Sequence, residues 1–273
     1  METKKKSLGS EVAELLKNNV KSYMMYFALV IIMLVFQIWS GGKFFKASNI
    51  TNLFNQAAYV GVLAIGMTLI LILKHIDLSV GYVAGFTGAL AAILMQRYGV
   101  NEWLAILIVL VVGLVIGLYQ GLTVTRLGVP AFVVTLAGMF IFRGLLSRTL
   151  AESGTVVVSQ KGFLALCNGF IPDIPNGLGI HLVTMIVGVL GVIIVILSQI
   201  ANRKNKQKYQ FEVVSTPIFV VEMILISGII LAVCWVLATY RGIPWSAVIV
   251  GVILVIYTFM LSKTKLGRYI YGI

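Results

Sequence analysis

Residues 56–95 read QAAYVGVLAIGMTLILILKHIDLSVGYVAGFTGALAAILM, and this stretch decides the fold. Two apolar runs, Gln56–Leu73 and Tyr82–Met95, flank a polar segment, Lys74–Gly81 (KHIDLSVG). An apolar run of about twenty residues is long enough to cross a bilayer as a helix. Because an ionisable group at membrane depth is costly, Asp77 should lie either at a membrane interface or at a functional position.

The composition extends this pattern to the whole chain. Its 273 residues are 60% hydrophobic and only 11% charged, with a mean hydropathy of +1.03. Soluble domains carry about 25% charged residues, so a soluble fold is excluded. We expect an all-α, polytopic helical membrane protein with about eight transmembrane helices. The predicted spans are Tyr23–Trp39, Phe54–Leu73, Leu78–Met95, Trp103–Tyr119, Ala131–Leu150, His181–Ile200, Pro217–Ala238 and Trp245–Leu261.

The net charge of +12 predicts orientation rather than nucleic-acid binding, because the Lys and Arg residues are spread over short loops. Loops on one side of the predicted spans hold fourteen of them, and loops on the other side hold seven. The positive-inside rule then predicts that both ends of the chain are cytoplasmic. We expect a basic N-terminus (1–22), a transmembrane domain (23–261) and a basic final segment (262–273). Within the domain we expect an external loop at about 151–180 and a cytoplasmic basic loop at about 202–210.

The sequence does not predict an enzyme. No nucleophile, base and orienting group occur together, so we expect no catalytic residues. Gly61–Thr68 has the spacing of a phosphate-binding loop, but Met67 occupies the position of the essential Lys within an apolar span. His75 and Asp77 lack a third metal ligand at suitable spacing. We therefore expect no ATP site, no metal and no cofactor.

The polar segment has two interpretations. Asp77 or Ser79 accepts backbone N–H groups at the start of the third span, as a helix cap does. Alternatively, these residues form a polar element of a transport path. The candidate pathway residues are Asp77, Ser79, Asn55, Gln56 and Thr87.

Glycines at four-residue spacing occur in the third and fourth spans. Such spacing places small residues on one helix face, where helix backbones can approach closely. We predict helix packing at Gly81, Gly85, Gly113, Gly117 and Gly121.

Four motifs resemble one family. They are HIDLSVG at 75–81, VPAFVVTLAGM at 129–139 followed by Phe142-Arg143-Gly144, RGIP at 241–244 and TKLGRYIY at 264–271. In this order they resemble permease subunits of bacterial ABC importers for monosaccharides, the ribose, xylose and galactose class. The HIDLS form and the long external loop look most like the xylose and multiple-sugar branch.

The resemblance implies a sugar permease of the bacterial inner membrane. Two copies would form the pathway as a homodimer, and a cytoplasmic ATP-binding subunit would drive it. An extracytoplasmic sugar-binding protein would dock at residues 151–180 and deliver the monosaccharide. Family members continue beyond the last residue of this chain, so we expect a C-terminally truncated permease that does not support uptake alone. The resemblance assigns ATPase coupling to Lys265, Leu266, Gly267, Arg268 and Tyr269.

Two alternatives stay open at this point. One is the related branched-chain amino-acid permease group, which would differ mainly in substrate. The other is a secondary transporter or channel that needs no ATPase. Co-purification with an ATP-binding subunit would separate the second alternative from the permeases.

Overall fold

The computed structural model describes residues 20–272 except 152, 153, 176, 178, 212 and 214. The described residues form helices and contain no strand, only one isolated β-bridge between Phe170 and Pro244. The helices are α1 (Val20–Trp39), α2 (Ala47–Ile72), α3 (Val80–Gln96), α4 (Glu102–Leu127), α5 (Ala131–Leu150), α6 (Lys161–Asn168), α7 (Leu182–Lys208), α8 (Thr216–Ala238), α9 (Trp245–Lys263) and α10 (Lys265–Tyr271).

The helix lengths confirm the all-α, polytopic membrane fold. Within the described ranges, six helices are long and apolar enough to cross a membrane: α2, α4, α5, α7, α8 and α9. The apolar helices Met24–Trp39 and Val80–Gln96 are shorter. All eight predicted spans therefore correspond to apolar helices. Large apolar side chains such as Leu114 (70% exposed) cover their surfaces, as expected where lipid rather than water surrounds a protein.

The chain divides into two compact units, of which the larger comprises residues 54–170 and 244–273. In this unit α3 packs against both α4 and α5, and α6 packs against α9. Ala91 and Met95 of α3 and Ala105 of α4 form a buried apolar cluster. Small side chains at this cluster let the α3 and α4 backbones approach closely, which favours van der Waals contact between membrane helices.

The other unit comprises residues 1–53 and 171–243, and its main helix pair is α7 with α8. Gly188 of α7 lies against Cys234 of α8, and a Cβ added at Gly188 would be only 2.8 Å from the Cys234 Sγ. After α1, the Gln37 side chain accepts a hydrogen bond from the Phe45 backbone N–H at 3.0 Å. Phe36 stacks with Phe44 at this turn.

The same Gly–β-branched–Pro sequence begins two helices. Gly128 (φ 69°) and Gly242 (φ 84°) adopt a left-handed conformation that glycine accepts without a Cβ penalty. Pro130 and Pro244 then directly precede the first residues of α5 and α9. Pro130 occupies the N-cap of α5, which begins at Ala131 as the predicted span does.

Two segments differ from the predicted loops. The region 151–180 contains a short helix, α6, because Leu164, Ala165 and Leu166 are strong helix formers in succession. The basic segment is also helical, since α7 continues through Asn202 and Arg203 to Lys208. Lys, Gln and Arg have high helix propensity, so the charge ends the apolar span without ending the helix.

Candidate functional site

The polar segment begins where α2 ends, at a lysine with a left-handed backbone conformation. Lys74 has a φ of 59°, which is uncommon for a side chain other than Gly or Asn. The Lys74 N–H donates to the Leu71 carbonyl (2.9 Å) and the His75 N–H to the Ile70 carbonyl (3.0 Å). This pair of bonds is a Schellman motif, which satisfies carbonyls that would otherwise be unpaired at the end of α2.

Asp77 and Ser79 form the next turn. Asp77 Oδ1 accepts hydrogen bonds from the Ser79 backbone N–H and from the Ser79 hydroxyl, each at 2.7 Å. The capping interpretation is confirmed for Asp77, which satisfies the N–H just before α3. It is wrong for Ser79, because its side chain makes no cap hydrogen bond with α3 and points instead to Asp77 and to a second helix.

That second helix is α4, which contributes Gln120. The Gln120 Nε2 donates to Ser79 Oγ at 3.0 Å, and Gln120 Oε1 lies 3.3 Å from the same hydroxyl. Ser79 is 1% exposed and Gln120 is 8% exposed, so both polar groups are buried. Buried polar groups are costly unless paired, and these two satisfy each other. Asp77, Ser79 and Gln120 are called the Asp77 cluster below.

Helix α5 completes the surroundings of the cluster. The Thr135 hydroxyl donates to the Ile76 carbonyl at 3.2 Å. One turn further along, Gly138 lies directly beside the cluster: a Cβ added there would overlap the Gln120 amide nitrogen and lie 3.3 Å from Ser79 Cβ. Only a residue without a side chain leaves room for the Gln120 amide at this position. Three helices therefore meet around the Asp77 cluster.

A cavity of about 450 Å³ lies beside the cluster. Its polar wall includes His75, Asp77, Gln120, Thr125 and Thr135, and the rest of the wall is apolar. A largely apolar cavity with a few convergent polar groups is the usual form of a small-molecule site. The remaining lining residues are Ile70, Leu73, Ile76, Gly117, Gly121, Val124 and Ala131.

The other predicted pathway residues are not part of this cluster. Asn55 Oδ1 accepts a hydrogen bond from the Ser246 hydroxyl of α9 at 2.6 Å. Gln56 is exposed. The Thr87 hydroxyl donates to the carbonyls of its own helix, Val83 at 2.9 Å and Ala84 at 3.2 Å. Such back-bonding satisfies the hydroxyl within α3 and leaves it no free hydrogen to donate.

The five predicted packing glycines have different surroundings. A Cβ added at Gly85 would lie 3.1 Å from Leu146 Cδ2 of α5, so α3 and α5 approach closely there. An added Cβ would meet no described atom within 4 Å at the other four, Gly81, Gly113, Gly117 and Gly121. These four glycines therefore make no close helix contact within the described chain, contrary to the prediction. Helices α3 and α4 meet through Ala91 and Ala105 instead. Gly117 and Gly121 widen the cavity.

The predicted coupling residues form the short helix α10. The Thr264 hydroxyl accepts the Gly267 N–H at 3.4 Å and caps its first turn. Gly267 is buried, and a Cβ there would overlap the Leu261 carbonyl, so α10 turns sharply back against the end of α9. Leu266 (52% exposed) and Tyr269 (79% exposed) present apolar surface, and Lys265 and Arg268 are also exposed.

A second polar cluster surrounds His181, the residue that directly precedes α7. His181 Nε2 lies 2.9 Å from the Ile171 carbonyl, so this nitrogen carries the hydrogen. Nδ1 then accepts the Thr184 N–H at 3.3 Å and caps α7, and Thr184 Oγ1 accepts the Ile243 N–H at 3.2 Å. Gly242 packs against the ring, with an added Cβ only 2.6 Å from it.

Asp173 belongs to the same cluster as His181. Partial desolvation would raise the pKa of its carboxyl. The backbone N–H groups of Val183, Ile174 and Leu182, together with nearby His181, outweigh that effect and hold the pKa below its usual value. The carboxylate oxygens accept the Leu182 and Val183 N–H groups at 3.2 and 3.1 Å. Asp173 and His181 thus satisfy three N–H groups at the start of α7.

Neither cluster is a metal site by composition. Among the described residues, no group of three or more His, Cys, Asp or Glu side chains could hold a metal ion. What the sequence reasoning missed was Gln120, Thr135 and Gly138. The available signal was Gln120 itself, because an uncharged but strongly polar side chain inside a long apolar run needs a partner.

Comparisons with known proteins identify the family. Residues 49–273 match the family model described as branched-chain amino acid transport system / permease component. The xylose transport system permease protein of Haemophilus influenzae is 33% identical over 93% of this chain and 66% of its own length. Its counterpart in Escherichia coli strain K12 is 33% identical over 93% of this chain and 63% of that protein. A fructose import permease protein of Bifidobacterium longum is 34% identical over 78% of this chain and 60% of that protein.

No solved structure matches the chain. The chain spans a little under two thirds of the length of the xylose permeases that it matches. The family model covers most of the chain, including the polar segment, the cavity and α10. The chain therefore belongs to the branched-chain amino acid transport system permease component family.

Proposed function

We propose that the chain forms part of the membrane pathway of an ATP-driven importer of monosaccharides. The observation that carries this proposal is the Asp77 cluster at the wall of the cavity of about 450 Å³. The relatives named as xylose and fructose permeases support the substrate class. Xylose is the sugar we would test first.

The chemistry of the cavity favours a neutral, hydroxyl-rich solute. Asp77 has a second carboxylate oxygen beyond the one that Ser79 engages, and it can accept a sugar hydroxyl. The Thr125 and Thr135 hydroxyls donate to the Gly121 and Ile76 carbonyls, so towards a sugar their oxygens can only accept. The apolar wall can pack against the carbon face of a sugar ring. Such a site binds by hydrogen bonds at a few fixed points and by contact elsewhere.

A branched-chain amino acid is the second candidate, because the family model carries that description. An amino acid is a zwitterion and needs a partner for its carboxylate as well as one for its ammonium group. The cavity wall contains Asp77 but neither Lys nor Arg. His75 is on the described wall, but no Lys or Arg there offers a fixed positive charge for the carboxylate, which favours the sugar.

The partners follow from the proposed function. The exposed residues of α10 would contact a cytoplasmic ATP-binding subunit, with Leu266 and Tyr269 as apolar anchors. A second copy of the permease would complete a homodimer, and an extracytoplasmic sugar-binding protein would dock at the external region 151–180. The Lys and Arg distribution supports cytoplasmic ends and an inner-membrane location.

The test is uptake of labelled xylose, ribose, fructose and leucine by cells that express a full-length relative containing the HIDLS segment. We expect uptake of a monosaccharide but not of leucine, and we expect the permease to co-purify with an ATP-binding subunit. Leucine uptake would refute the sugar assignment. Sugar uptake that persists without any ATP-binding subunit would instead indicate a secondary transporter.

A further inference from the structure

The end of α7 carries a cluster of basic residues directly after an apolar span. Residues 182–200 are almost entirely apolar, and the following two turns contain Arg203, Lys204, Lys206 and Lys208. Ile194 and Leu197 are more than half exposed on the apolar part. The change from apolar to basic within one helix places Arg203 at the depth of lipid headgroups.

Arg203 is held in a defined position with one nitrogen unused. Its Nη2 donates to the Thr216 hydroxyl at 3.0 Å, and its guanidinium carbon lies 4.6 Å from the centroid of the Phe219 ring. Its Nη1 is buried and has no hydrogen-bond partner among the residues that the structure describes. A buried, unpaired donor of a charged group costs free energy, so an acceptor at this position would stabilise the protein.

A cavity of about 220 Å³ lies beside this guanidinium. Arg203 and Lys206 provide positive charge on its wall, and Gln199 and Asn202 provide amide donors. The one acidic residue on the described wall is Glu222, which is exposed. The first turn of α8, which holds Thr216, adds the partial positive charge of a helix N-terminus. These groups together suit an oxyanion with several acceptor oxygens.

We propose that this cavity, the Arg203 pocket, binds the phosphate of an anionic phospholipid. The headgroup phosphate would pair with the positive charges of Arg203 and Lys206, and a small rotation of the guanidinium would turn its buried Nη1 towards a phosphate oxygen. The acyl chains would lie along the exposed apolar face of α7 at Ile194 and Leu197. A basic pocket at the cytoplasmic ends of membrane helices is a favourable place for such a headgroup. A lipid fits better than a soluble phosphate because apolar helix surface adjoins the charged pocket.

The experiment measures lipid binding to the purified full chain by native mass spectrometry in detergent. The probes are phosphatidylglycerol, phosphatidylcholine and inorganic phosphate. We expect one tightly held phosphatidylglycerol with a Kd at least about tenfold below that of phosphatidylcholine. Each basic group near an anionic lipid lowers the Kd by a factor of roughly five. The double variant R203Q/K206Q should lose this preference.

The matched control is K43Q/K46Q, which removes the same charge from an exposed segment before α2 and should bind phosphatidylglycerol like the natural chain. R203K should bind more weakly, because it keeps the charge but not the planar pair of donors. Unchanged binding by R203Q/K206Q would overturn the proposal. Displacement of the lipid by millimolar inorganic phosphate would also overturn it, in favour of a site for soluble phosphate. Equal losses in both double variants would indicate a general charge effect and would refute a pocket.

Discussion

Gly138 permits the Asp77 cluster, and its replacement by Ala gives the sharpest test of the site. The added Cβ would overlap the Gln120 amide nitrogen and press on Ser79 Cβ at 3.3 Å. The Gln120 side chain must then move, which breaks its bond to the Ser79 hydroxyl. Since both groups are buried, no water can replace the lost partner at the same site.

The magnitude follows from three effects. Overpacking a tight site costs about 1–3 kcal/mol, and leaving a buried polar group unpaired costs about 1–3 kcal/mol. The higher helix propensity of Ala offsets about 1 kcal/mol of this cost. We therefore expect G138A to lower the free energy of unfolding by about 3 kcal/mol.

The assay is reversible unfolding of the purified chain in mixed micelles, followed by tryptophan fluorescence. The control is G144A on the same helix, because an added Cβ there meets no described atom within 4 Å. G144A should change stability by no more than about 1 kcal/mol. In a Q120A background the clash partner is gone, so G138A should cost much less there. Equal costs for G138A and G144A, or an undiminished cost in the Q120A background, would refute the reasoning.

Three further predictions concern the remaining sites. Replacing Asp77 with Ala in a full-length relative should lower sugar uptake at least about tenfold at unchanged membrane levels, because a carboxylate with charge-assisted hydrogen bonds is lost; normal uptake would contradict a pathway role. The lowered pKa of Asp173 means that its carboxylate stabilises the fold fully above about pH 4, and this contribution is lost as the pH falls through the lower folded-state pKa. The apparent Tm of D173N should therefore vary less with pH than that of the natural chain in this acid range. Parallel curves of Tm against pH for the two proteins would contradict this prediction. G267A should reduce co-purification with the ATP-binding subunit, whereas G251A, with open space at its Cβ, should not. If both variants retained the subunit, α10 would have no role in binding it.

The sequence predicted the helical architecture well because long apolar runs have few alternative structures in a membrane. The sequence-based prediction was wrong where a polar segment keeps a helical backbone. The basic residues after Ile200 were predicted as a loop, yet Lys and Arg support a helix as well as they support solvation. Similarly, Gly113 has the spacing of a packing residue, but spacing alone does not say which neighbour faces it.

The Asp77 cluster was half predictable. Asp77 and Ser79 are close in sequence, so their turn can be predicted from the tendency of Asp to accept a hydrogen bond from the backbone N–H of residue i+2. Gln120 and Gly138 come from distant helices, and only the packing of α3 against α4 and α5 brings them to Ser79. A single sequence predicts that Gln120 needs a hydrogen-bond partner, but it does not identify that partner.

The Ser79 hydroxyl has one hydrogen and two acceptors within reach, Asp77 Oδ1 at 2.7 Å and Gln120 Oε1 at 3.3 Å. It can serve only one of them at a time, and it now serves the carboxylate. A solute hydroxyl that donates to the second oxygen of the Asp77 carboxylate would weaken the bond between Oδ1 and the Ser79 hydroxyl, whose hydrogen could then turn towards Gln120. Gln120 Oε1, already 3.3 Å from the Ser79 oxygen, would then accept this hydrogen and be drawn closer to Ser79. Solute binding would thereby be converted into a change in the contact between α4 and α5 without any movement of charge.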